Sequence, residues 1–90
     1  MKYNQIIKYY NIDGGKVFYP DEALIDGGWN ITLNDLLKMN NFLLVDRITG
    51  TKYKVNKVSS GGGFYYVHYE SGGWQLLDFA ITQHKLLKNY

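Results

Sequence analysis

Residues 52–69 read KYKVNKVSSGGGFYYVHY, and the way this stretch folds decides the architecture of the rest. From Lys52 to Asn56 polar and apolar residues alternate with period two. Tyr53 and Val55 fall on one side and Lys52, Lys54 and Asn56 on the other, as in a strand with one wet face. Ser59-Ser60-Gly61-Gly62-Gly63 then makes a turn, because glycine reaches positive φ without a Cβ clash. Phe64 to Glu70 returns as the next strand. Working outward, Phe42 to Ile48 joins this pair through Thr49-Gly50-Thr51 as a hairpin. On the other side Ser71-Gly72-Gly73 turns the chain into a short strand from Trp74 to Leu77. The expectation is a four-stranded antiparallel meander over about residues 42 to 77.

Helical signals flank it. Thr32 can accept a hydrogen bond from a first-turn amide, Asp35 stands three residues on, and Ile31 with Leu36 has the spacing of a hydrophobic staple. A helix from about Thr32 to Met39 follows, stopped by Asn40-Asn41. Asp78 to Leu87 fits a terminal helix capped by Asp78, with Phe79, Gln83, Leu86 and Leu87 near one stripe and His84 solvated. Near the start, Tyr3, Ile6, Ile7 and Tyr10 keep helical spacing, while Ile6, Tyr10 and Ile12 also allow an extended segment; a helix is expected there, and Lys16 to Tyr19 reads as a short strand. The fold class expected is α+β, with the sheet packed against two or three short helices in a single domain spanning 1–90.

Composition excludes several functions. Hydrophobic residues at 46% and charged residues at 20% describe a chain that folds rather than a disordered one. No cysteine means no disulfide, thiolate metal site or cysteine nucleophile, which fits a reducing compartment. No apolar run approaches the roughly 18 residues that span a bilayer, and Met1 to Gln5 opens no signal peptide, so the expected location is cytoplasmic. Serines fall only at 59, 60 and 71, beside glycines. His68 and Glu70 share a strand face without a third ligand at metal-site spacing. Neither catalysis nor a cofactor is expected.

Charge and aromatics point instead to binding. Asp13, Asp21, Glu22, Asp26 and Asp35 face only Lys16 between residues 13 and 35, whereas Arg47, Lys52, Lys54 and Lys57 face only Asp46 between 46 and 57. Phe64, Tyr66 and His68 fall on one face of their strand and Tyr65, Val67 and Tyr69 on the other. Both faces therefore carry two aromatic rings, one pair more than a one-sided core needs. Rings beside lysines suit single-stranded nucleic acid, with Tyr66 and His68 stacking while Arg47, Lys52, Lys54 and Lys57 meet phosphate. Exposed Tyr and Trp equally anchor protein interfaces. Tyr65, Tyr69 and Trp74 are the candidates there, with Asp13, Asp21, Glu22 and Asp26 supplying acid. Dimerisation would also use the surplus face.

In general character, rich in Lys, Asn, Ile and Tyr, free of Cys and of catalytic motifs, the chain resembles the small inhibitors of bacterial defence that phages encode, anti-CRISPR proteins among them. That resemblance implies stoichiometric binding to a host effector in the host cytoplasm, the acids imitating phosphate in a basic groove. A nucleic-acid-binding domain is the alternative, and a protein that sequesters a signalling nucleotide between aromatic rings is a third.

Overall fold

The computed structural model describes residues 19–87, and its architecture follows from how the chain buries one side of an antiparallel sheet. Helix α1 spans Pro20–Asp26 and α2 spans Leu33–Lys38. The strands are β1 Asn40–Asp46, β2 Lys52–Gly61, β3 Phe64–Tyr69 and β4 Trp74–Leu76. Helix α3, Leu77–Gln83, runs directly into β5, His84–Leu87. The strand order is β4-β3-β2-β1-β5, and every neighbour is antiparallel. No helix among the described residues is long and apolar enough to cross a membrane. The expected N-terminal helix and residues 16–18 of the expected short strand lie outside the described residues, as does Asp13; Tyr19 itself is not in a strand.

The α+β class holds, with five strands rather than four. The expected terminal helix ends at Gln83, and residues 84–87 pair with β1, Leu86 opposite Leu44 and His84 opposite Asp46. Turning there lets Leu86 pack on the core while Lys85 and Leu87 face away. Asp78 does not cap α3 either. Leu76 is the cap residue, and Asp78 sits buried in the first turn with its Oδ1 accepting from the Phe79 amide at 3.0 Å. The Thr32 cap stands as expected, its hydroxyl accepting from the Asp35 amide at 3.2 Å, and Ile31 packs on the core beside buried Leu36.

The three helices cover the inner face of the sheet. Phe42 and Leu44 from β1, Val55 and Val58 from β2 and Val67 from β3 meet Leu24, Leu36, Leu77, Ala80 and Ile81 from the helices. Trp29 closes one end of this core, 2% exposed, its indole N–H donating to the His84 carbonyl at 3.1 Å. Gly27 is where α1 crosses α3. A Cβ there would lie 2.3 Å from Ile81 Cγ2, so the close approach admits no side chain.

Val55 and Val58, three residues apart, both face inward, which strict alternation forbids. A β-bulge between Val55 and Lys57 resolves it, because β2 advances two residues there while β3 advances one. Lys57 is thereby re-aimed to the outer face, opposite His68. The strand then continues to Gly61, and Gly62-Gly63, both at positive φ, form the two-residue turn.

Candidate nucleic-acid interface on the outer sheet face

The bulge assembles an ordered strip on the face away from the helices. Because partners in an antiparallel ladder share a face, the register gives one cross-strand row of Lys57, His68 and Trp74 and a second of Ser59, Tyr66 and Leu76. Adjacent strands lie about 4.8 Å apart, so each row is short enough for one extended ligand to touch all three members. Tyr66 and Trp74 meet edge to face, centroids 5.2 Å apart and planes at 81°, as a diagonal pair. Trp74 is 63% exposed, whereas Tyr66, His68 and Phe64 are half-buried. Ser59 Oγ and His68 Nε2 are 2.6 Å apart, which holds the imidazole in place.

Lysines flank the rings. Lys52 and Lys54 are opposite Val45 and Leu43, and Lys85 is opposite Val45 from the far side, which puts all three on the same face as Lys57. Among the described residues, the outward strand positions carry these four lysines and no carboxylate. Glu70 follows at the end of β3. The Ser59–His68 pair is a nucleophile and base in reach of each other, a contact that the sequence alone does not show. Hydrolytic chemistry asks also for a group orienting the ring and for an oxyanion site. Among the described residues, no side chain bonds His68 Nδ1 to orient the ring.

The residues singled out from sequence do not all converge. Lys52, Lys54, Lys57, Tyr66 and His68 come together, and Trp74 joins them rather than the protein-binding set to which it was assigned. Arg47 does not join them. Its Nη2 donates to the carbonyls of Gly27 at 2.6 Å and Ile81 at 3.0 Å, its Nε is buried without a partner, and burial pulls its pKa down. It braces α1 against α3. Tyr65 and Tyr69 pack on the core, so they are inner-face residues and not anchors. Burial, with Tyr53 alongside, pushes the Tyr69 phenol up to about 12. Asp21, Glu22 and Asp26 ride on α1, on the helix side of the sheet and not on the outer face that carries Trp74, and Asp21 Oδ1 accepts from the Leu33 amide at 2.6 Å, tying α1 to the start of α2.

Two features escaped the sequence reading. Helix α1 itself was missed, although Pro20 at its first position and Asp21-Glu22 in its first turn are helix-start signals. His84, expected in solvent, is 5% exposed with its Nδ1 donating to the Ala80 carbonyl at 3.0 Å. Compared with protein-family models, curated proteins and solved structures, the chain matches none.

Proposed function

We propose that this is a non-catalytic binding protein whose outer sheet face takes single-stranded nucleic acid. The observation that carries the reading is the row Lys57, His68, Trp74 with Tyr66 beside it, rings and ammonium groups in alternate reach of one extended strand. Stacking on such rings contributes about 1–3 kcal/mol per base and tolerates any sequence. With about three phosphates neutralised, log K should fall with log salt at a slope near −2 for a single strand.

Fluorescence anisotropy with labelled oligo-dT and oligo-U across a salt series tests it. Lys57→Glu and Trp74→Ala should each weaken binding about tenfold or more, and Lys57→Glu should also flatten the salt slope. Unchanged binding in both variants, or none at low salt, defeats the reading.

The inhibitor reading has a different observation in its favour. Asp21 and Glu22 stand exposed at the start of α1, which carries no base in its last turn, and Ile25 is 62% exposed beside them. On that reading the partner is a host defence nuclease complex with a basic, nucleic-acid-binding groove. Reversing the charge of Asp21 and Glu22 then abolishes inhibition while leaving oligonucleotide binding intact; inhibition that survives the reversal removes it.

A further inference from the structure

The start of β2 overhangs the end of β3. The last ladder partners are Val55 and Tyr69, and the Glu70 amide donates to the Lys54 carbonyl at 2.9 Å, so Lys52 and Tyr53 run on past the end of β3. The notch left at this end of the sheet is divided into two adjoining clefts that share Tyr53, Tyr69 and Ser71. Their volumes, about 360 and 400 Å³, each fall within the range of small-molecule sites.

The two halves differ in chemistry. The first is walled by aromatic rings: Tyr53 packs edge-on against His84 at 5.5 Å and against Tyr69 at 6.0 Å, and at 40% exposure keeps part of its ring open. Its polar groups are fixed by internal bonds that leave specific atoms over. Tyr69 Oη donates to Gln75 Oε1 and Gln75 Nε2 donates to Gln83 Oε1, both at 2.8 Å, which leaves the Gln83 Nε2 hydrogens as donors. Asp46 Oδ1 accepts from the Ile48 and Thr49 amides at 2.8 and 2.9 Å, leaving Oδ2 as an acceptor. Those same amides hold its carboxyl below the usual range, so it stays ionised. The second half is lined by Lys52, Lys54 and Glu70, with exposed Lys52 at the start of β2 as its cation.

We infer that this notch binds a nucleoside phosphate, its base against Tyr53 in the aromatic half with Gln83 and Asp46 reading the ring edge, and its phosphate toward Lys52 in the cationic half. A donor and an acceptor lining one cleft with a half-open ring suit a nucleobase edge, and a cation in the adjoining cleft suits the phosphate. The notch adjoins the outer strip and shares Lys52, Lys54 and Trp74 with it; Tyr53, an inner-face residue, belongs to the notch alone, and Lys57, on the outer face, to the strip alone.

Thermal shift and calorimetry on the full chain, with the four nucleoside 5′-monophosphates, adenosine and inorganic phosphate as probes, test this. At least one monophosphate should bind saturably and raise Tm, more than adenosine or phosphate alone. Tyr53→Ala should lower that affinity at least tenfold, and Lys57→Glu should leave it within twofold. Lys52→Ala, at an exposed position, gives an independent loss should Tyr53→Ala fold poorly. No saturable binding of any monophosphate overturns the inference, as does phosphate alone binding equally well. Loss on Lys57→Glu with Tyr53→Ala unaffected also overturns it, assigning the nucleotide to the outer strip. Oligonucleotide binding that persists while mononucleotide binding fails would leave the strip standing without the notch.

Discussion

Tyr65 and Tyr66 are neighbours in the chain and belong to different chemistries. The inner ring packs on a core with Val67 and Leu36, while the outer one leans toward a Trp that is mostly in water. The same holds along the whole of β3: Tyr65, Val67 and Tyr69 hold the fold together, and Phe64, Tyr66 and His68 line the face turned away from the helices. Composition alone does not separate the two sets, since each contains aromatic residues. What separates them is three helices on one side and the β2 bulge, which sends Val58 inward and Lys57 outward. Inner residues should therefore govern stability and outer ones binding.

The largest effect expected on the inner side is from Phe42→Ala. Phe42 is fully buried between β1 and the helices, and its truncation should cost about 3–5 kcal/mol by urea denaturation. A loss under about 1 kcal/mol would mean that this face is not the core. Arg47→Ala comes next. Loss of two charge-assisted bonds to the Gly27 and Ile81 carbonyls should cost about 1.5–3 kcal/mol while oligonucleotide affinity changes little. The reverse result would return Arg47 to the binding face.

A smaller effect distinguishes buried charge from buried bulk. Burial raises the Asp78 carboxyl above its ordinary 3.8. Between the ordinary and the raised value the native state keeps a proton that the unfolded chain has released, so stability falls as pH rises through that window. Asp78→Asn, which can still accept from the Phe79 amide, should be the more stable protein at pH 7 and should lose this fall. A variant less stable than the parent at pH 7 would show the carboxylate to be net stabilising. The smallest change in stability is expected on the outer face: Trp74→Ala should alter it by only about 0.5 kcal/mol, with its effect appearing in binding.

Much of this division is legible from residue order, and the rest depends on distant contacts. The hairpin of β1 and β2 is readable because Tyr53, Lys54 and Val55 alternate and Gly50 sits at positive φ between the arms. The α2 start is readable because a cap is a local interaction between Thr32 and Asp35. Residues 84–87 are not readable as a strand from their own pattern, because what extends them is the free edge of β1 some forty residues earlier in the chain. The same applies to Arg47, whose partners are the carbonyls at positions 27 and 81. A run of basic residues signals a charged surface only when no helix end lies close enough to claim one of them. Trp29 and Trp74 each follow two glycines, and only the surroundings decide that one is 2% and the other 63% exposed.

That contrast between the two tryptophans supplies the most direct measurement. Titrating the protein with oligo-dT while following tryptophan emission reports on Trp74, because Trp29 is sealed in the core. The account predicts saturable quenching at low salt, weakened as salt rises, abolished by Trp74→Phe and displaced to much higher oligonucleotide concentration by Lys57→Glu. Emission unchanged by oligonucleotide, or quenching that persists in full in Trp74→Phe, would contradict the assignment of the outer face as the binding surface.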